Sequence, residues 1–177
     1  ESGGALQCNV MPELTALAGE EENINFSHTD GIGGFQNMTG ASWTIAAMVA
    51  QTAGIPLKAP IGLDNNEYGQ DFFLPGVHTL TNVLHNNGYY QTLMVGSDAN
   101  FGGRKNYFEQ HGLDETFDIF TARKEGIVPE GYFVFWGMED LHLFDFAKQK
   151  LTAIAQQEQP FAFTMLTVDT HRTKGFA

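Results

Sequence analysis

Apolar positions in this chain switch between helical and strand spacing, with Gly- and Pro-rich breaks between the two. Pro12 opens a helix through about Glu20, with Leu14 and Leu17 three positions apart. Ile24, Phe26 and His28 alternate and predict a strand over residues 23–28. Residues 29–43 are a polar loop holding Gly31, Gly33, Gly34 and Gly40. A helix runs from Thr44 to Ala53, Gly54 fits the position just past its end, and Pro56 prevents continuation. Residues 56–78 read as irregular.

The second half repeats the alternation. A helix through Leu80, Val83 and Leu84 ends at Gly88, and Tyr89 to Val95 is a strand followed by the turn Gly96-Ser97-Asp98. A short helix covers about Arg104 to His111 and stops at Gly112, and residues 117–120 read as another strand. The longest helix spans about Asp140 to Gln157, with Leu141, Phe144, Leu151, Ile154 and Ala155 expected on its apolar face. Pro160 breaks it. The near-continuous apolar run from Phe161 to Val168 predicts a strand covered on both faces.

Such alternation predicts one α/β domain over residues 1–177, a layered, mostly parallel sheet flanked by helices. Ligands of such sheets bind beyond the carboxyl ends of the strands. Three polar groups are expected there: Gly96-Ser97-Asp98, Asp169-Thr170-His171 and the loop before Thr44.

Charge narrows the choice of ligand. Only 9 Lys and Arg stand against 21 Asp and Glu, a net charge of −12, which argues against nucleic-acid binding. Each basic residue near a strand end therefore merits attention. The lone Cys8 cannot form an internal disulfide and reads as a small buried residue rather than a reactive thiol. No apolar run reaches membrane-spanning length. The chain starts at Glu1 without a methionine and reads as a piece of something longer.

Thr44 stands where a Gly-rich loop meets an apolar helix. A hydroxyl there lies near unpaired backbone N–H groups and the positive end of the helix dipole, a setting that suits an alkoxide or a phosphate. A helix cap is the simpler alternative. Arg104 follows Phe101-Gly102-Gly103, and glycines before a lone Arg suit the two-pronged grip of an anion; a surface Arg is the alternative. Asp169, His171 and Arg172 follow a buried strand, where His can move protons or bind an anion; a polar loop at a strand end is the alternative.

His28, His78, His85, His111 and His142 lack metal-ligand spacing and read as satisfied or exposed side chains. Asp64-Asn65-Asn66-Glu67 reads as a solvated turn rather than a Ca²⁺ loop. The stretch Tyr132-Phe133-Val134-Phe135-Trp136-Gly137 reads as core packing, or alternatively as a lipid or sugar platform.

Several segments together resemble a known family: Gly40-Ala41-Ser42-Trp43-Thr44-Ile45-Ala46-Ala47-Met48-Val49-Ala50, Gly54-Ile55-Pro56-Leu57, Asn106-Tyr107-Phe108 through His111-Gly112-Leu113-Asp114, Trp136-Gly137-Met138-Glu139-Asp140 and Thr167-Val168-Asp169-Thr170-His171. In this order they resemble the catalytic domain of bacterial phosphoglycerol transferases. These are sulfatase-like members of the alkaline phosphatase superfamily and include the lipoteichoic acid synthases. The Trp-Thr-Ile segment with Gly-Ile-Pro-Leu is closer to the branch that modifies periplasmic glucans.

The resemblance implies an alkaline phosphatase/sulfatase-like fold truncated at both ends. It implies Thr44 as the nucleophile that takes phosphoglycerol, Glu1 with Thr44 as ligands of a divalent Mn²⁺ or Mg²⁺ ion, and Arg104 and His171 as contacts to the phosphoglycerol. It further implies a phosphatidylglycerol-type lipid donor, a glycan or glycerophosphate acceptor, and a membrane-anchored parent protein on the periplasmic or extracellular face of the bacterial inner membrane. The family's downstream Asp-His ligands are not in residues 1–177, so this piece alone is expected to be inactive. Cys8-Asn9-Val10-Met11-Pro12 does not fit the Cys-x-Pro-x-Arg motif of true sulfatases, which disfavours sulfate ester hydrolysis. The rival expectations are a hydrolase of the same superfamily and a non-catalytic domain that binds lipid headgroups or glucans.

Overall fold

The computed structural model describes residues 9, 11–26, 38–58, 71–169 and 171. Contacts divide the chain into two units, residues 1–38 and 39–177. In the first unit Pro12 starts α1 (Pro12–Ala18) as expected. The strand expected at 23–28 is not present over its described part, residues 23–26. Ile24 is 84 % and Phe26 85 % exposed, so no described strand lies against the alternation to bury its apolar side. Residues 27 and 28 lie outside the described set.

The second unit contains α2 (Thr44–Ala53), α3 (Leu80–Asn86), β1 (Tyr90–Val95), α4 (Arg104–Gln110), β2 (Glu115–Phe117), α5 (Ile119–Lys124), α6 (Asp140–Ala155) and β3 (Phe161–Leu166). The strands form one parallel sheet in the order β2-β1-β3. Central β1 distributes its side chains by strand alternation. Leu93 and Val95 join Ile45, Ala46, Met48 and Val49 of α2 and Tyr107 and Phe108 of α4 in one core. Met94 joins Phe117, Ile119 and Ala122 with Leu143 and Ala147 of α6 in the other. Helices therefore cover both faces of the sheet, the layered α/β arrangement expected from the sequence.

Three expectations need correction. Residues 117–120 are not one strand: β2 ends at Phe117, and Asp118 begins α5 by accepting hydrogen bonds from the Phe120 and Thr121 backbone N–H groups at 3.0 Å each. The apolar face of α6 is Leu143, Ala147 and Ile154, whereas Leu141 is 70 % and Phe144 47 % exposed. At roughly 100° per residue, Leu141 stands on nearly the opposite side from Leu143. The strand β3 is only half-buried along its length. Among the described residues it pairs with β1 alone, and the strand buried from its second residue onward is β1.

Candidate functional site

Two closures position the residues around Thr44. Gly54 ends α2 with φ 69° and donates its N–H to Ala50 O. Gly40, with φ 80°, accepts a 2.8 Å hydrogen bond from Leu57 N. A Cβ at Gly40 would come within 2.8 Å of Pro56 Cβ, so this contact needs glycine. The loop before the helix is thus tied to the Gly54-Ile55-Pro56-Leu57 segment after it.

Thr44 is the first helical residue, and Trp43 holds the cap position with no side-chain cap bond. The capping alternative for Thr44 therefore does not hold. Its side chain is exposed and makes no hydrogen bond to a described residue. Exposed at the start of a ten-residue helix, that hydroxyl can meet an incoming group.

Arg104 is not a surface residue; only 5 % of it is exposed. Gly102 and Gly103, with φ 69° and 71°, turn the chain back so that the guanidinium folds over its own loop. Nε donates to Phe101 O at 2.9 Å, and Nη2 donates to Ser97 Oγ at 3.1 Å and also to Asp98 O. Burial pulls the guanidinium pKa down, and Asp98 and Asp118 oppose that shift. Nη1 makes no hydrogen bond to a described residue, and its carbon lies 5.7 Å from the Phe101 ring centroid. Asp118 also accepts from Ala99 N at 3.3 Å, which ties the exit of β2 to the Arg104 loop. Its supporting role was not foreseen. The signal available was an Asp followed by a helix-forming stretch.

Parallel pairing puts Val95 opposite Leu166, so β1 and β3 leave the sheet side by side. The Ser97-to-Arg104 loop continues from one strand and the turn ending at His171 from the other. Between them runs residues 134–140. Val134 and Gly137 exchange hydrogen bonds at 2.9 Å each, which places Phe135 and Trp136 at the tip of a tight turn. Phe135 there has φ 56°, an uncommon conformation for an aromatic residue. Gly137 lies against Gly96, where a Cβ would approach Gly96 O to 2.1 Å, and Met138 N donates to that oxygen at 2.8 Å.

The turn completes an aromatic chain from Arg104 to His171. Phe101 and Trp136 lie 5.1 Å apart between ring centroids, and Trp136 and His171 5.9 Å apart. Phe135 stands 6.3 Å from His171. Arg104 and His171 thus border one aromatic group at the carboxyl edge of the sheet. The expectation that this stretch is simply core packing is corrected, since Phe133 is 59 % exposed and Phe135 and Trp136 are half-buried. Asp169 accepts from Asp140 N at 2.9 Å. Its carboxyl is pushed above the usual range by burial; the hydrogen bond from the Asp140 N–H opposes that shift, and the carboxylates of Asp140 and Glu139 add to it.

No hydrogen bond or ring contact among the described residues joins Thr44 to Arg104 or His171. Glu1, Cys8, His28, residues 64–67, Thr170 and Arg172 lie outside the described set. Among the described residues no group of three His, Cys, Asp or Glu is arranged to hold a metal ion. Thr44 would supply only a single oxygen, so the described residues do not make a metal site by themselves. His111 is buried in the core, its ring nitrogens 3.1 Å from Asn82 Oδ1 and 3.3 Å from Phe73 O. His78, His85 and His142 are exposed. No described helix is long and apolar enough to cross a membrane.

The profile of the Sulfatase family matches residues 6–175. The chain belongs to the Sulfatase family. Within it, this chain is 35 % identical over 167 residues to phosphoglycerol transferase I of Xanthomonas euvesicatoria pv. vesicatoria (strain 85-10). It is 34 % identical over 168 residues to phosphoglycerol transferase I of Salmonella paratyphi B (strain ATCC BAA-1250 / SPB7). These alignments cover 94 % and 95 % of this chain but 22 % and 21 % of the relatives, so the chain spans about a fifth of their length. A crystal structure of a protein in the alkaline phosphatase superfamily from Vibrio parahaemolyticus superposes with a TM-score of 0.54 at 22 % identity. That match covers 75 % of this sulfatase-family chain and 30 % of the other, and it bears on the fold alone.

Proposed function

We propose that residues 1–177 are part of a single sulfatase-like catalytic domain that transfers phosphoglycerol from a phosphatidylglycerol-type lipid to a glycan or glycerophosphate alcohol. What carries the reading is the meeting of Arg104 and His171 at one aromatic group on the carboxyl edge of the sheet. The likeness to phosphoglycerol transferase I suggests the substrate.

Thr44 Oγ1 attacks phosphorus and gives up its hydroxyl proton, and the bond from phosphorus to the diacylglycerol oxygen breaks as that oxygen takes up a proton, so none is gained or lost overall. The acceptor alcohol then attacks the same phosphorus, the bond to Thr44 Oγ1 breaks, and the acceptor's hydroxyl proton restores the threonine hydroxyl. Arg104 Nη1 and the His171 imidazole face the non-bridging oxygens, whose charge grows in each transition state. Buried hydrogen bonds hold the guanidinium before substrate arrives, so little reorganisation is needed.

A divalent Mn²⁺ or Mg²⁺ ion bound in part by Glu1 and Thr44 belongs to this reading; such an ion would lower the pKa of the threonine alcohol. An anchored parent protein at the outer face of the inner membrane belongs to it as well. The test is mass spectrometry of the full-length protein incubated with phosphatidylglycerol and Mn²⁺. A phosphoglycerol adduct on the peptide containing Thr44 is expected. An adduct on another residue, or turnover with no adduct in a rapid-quench series, would remove Thr44 from the chemistry.

A further inference from the structure

Asp140 and Asp169 form a reciprocal clamp beneath the turn that carries His171. Asp140 Oδ1 accepts the Val168 backbone N–H at 2.8 Å, and its Oδ2 accepts that of Asp169 at 3.1 Å. In return, Asp169 Oδ2 accepts the Asp140 backbone N–H at 2.9 Å. Above this joint, His171 N donates to Val168 O at 2.9 Å and closes the turn. Each of the three clamp bonds joins a backbone N–H to a carboxylate, a charge-assisted type stronger than a neutral pair.

Both partners suit this placement. Asp140 is the first residue of α6, where a carboxylate is favoured by the helix dipole, and its N–H is one that the helix leaves unbonded. Val168 and Asp169 have just left β3, so their N–H groups need partners beyond the sheet. The other end of the same segment is fixed to β1 by the Met138–Gly96 hydrogen bond and the close Gly137–Gly96 approach. Residues 136–140 therefore span the exits of β1 and β3. The first exit carries the Ser97 anchor of Arg104, and the second carries His171.

We infer that Asp140 and Asp169 are positioning residues that hold His171 at a set distance from Arg104, so that a phosphodiester headgroup can meet both side chains at once. The inference rests on the reading of Arg104 and His171 given above. The clamp acts on backbone and touches neither substrate nor reacting atoms. Its contribution is orientation, and a displacement of about 1 Å at such a site can cost on the order of a hundredfold.

The test is a double-mutant cycle in the full-length protein, with glycerol phosphate as the titrant and calorimetry as the readout. Asp140→Ala and His171→Ala are each expected to weaken binding roughly ten- to hundredfold. The double variant is expected to be no weaker than His171→Ala alone. Asp140→Asn, which keeps one acceptor oxygen, gives the same comparison should the alanine variant fail to fold. Losses that add in the double variant, or wild-type affinity in both Asp140 variants while His171→Ala itself weakens binding, would overturn the clamp.

A second readout separates this inference from the reading beneath it. Side-chain ¹⁵N signals of His171 in histidine-labelled, ligand-free protein are expected to shift in Asp140→Ala and to recover partly in Asp140→Asn. Unmoved signals would overturn the clamp whatever the titration shows. Shifted signals together with unchanged affinity in His171→Ala would leave the clamp standing and remove His171 from the substrate site.

Discussion

Replacing Thr44 with alanine separates folding from chemistry because of how the residue is seated. The side chain is exposed, so its loss leaves no cavity. Trp43 occupies the cap position, so no capping bond is lost. Alanine is the better helix former by about 0.5 kcal/mol at an interior site and by less at the first turn. Neither term is large, and stability should stay within about 0.5 kcal/mol of the parent by urea titration. Catalysis should respond on another scale. Loss of a nucleophile costs on the order of 10⁴-fold or more in turnover, read here as release of diacylglycerol from phosphatidylglycerol. Thr44→Ser should retain the adduct and a substantial rate, since it keeps the hydroxyl. Turnover by Thr44→Ala within about tenfold of the parent would refute the mechanism. A stability loss above about 2 kcal/mol would instead refute the structural account of an unengaged hydroxyl.

Arg104→Ala removes the donors that serve Phe101 O, Asp98 O and Ser97 Oγ in a buried loop, and should cost about 2–4 kcal/mol in a denaturant melt as well as weaken glycerol phosphate binding; unchanged stability would mean the guanidinium is not anchored there. Gly137→Ala brings a Cβ to 2.1 Å from Gly96 O and should destabilise by about 1–3 kcal/mol, whereas Gly126→Ala, where nothing stands within 4 Å of a Cβ, meets no such clash despite its own φ of 71°; equal thermal shifts in the two variants would count against the close approach. Burial pulls the His111 imidazole below its usual pKa of 6.5, with Phe73 O acting against that shift and His78 adding to it. The unfolded imidazole therefore gains a proton that the folded one resists, so this stability is complete above the unfolded pKa and declines as pH falls through and below it. Melting curves at about pH 8 and about pH 5.5 should show that decline in the parent and a smaller one in His111→Asn, and identical slopes would sink the assignment.

Elements whose local chemistry and packing agree were legible in the chain. α2 is the clearest case: an apolar helical run stopped by Gly54 and Pro56 folds over the residues expected, since only glycine takes φ 69° there without strain. Thr44 could be singled out for the same reason, being the polar residue at the junction of loop and helix. Where packing alone decides, the sequence was less informative. Ile24 and Phe26 alternate like a strand yet have no described strand beside them, and Leu141 and Phe144 are apolar yet face solvent.

The character of Arg104 was settled in three dimensions. Its glycines were visible in the sequence, but its burial depends on Ser97 and on Asp118, which arrives from the end of another strand. The joining of Arg104 to His171 through Phe101 and Trp136 likewise depends on β1 and β3 pairing in parallel and leaving the sheet together. Periodicity, glycine and proline act over a few bonds and can be read from neighbouring letters. Which helix face meets the sheet, and which carboxylate meets which backbone N–H, depends on groups distant in the chain that approach only when the core closes.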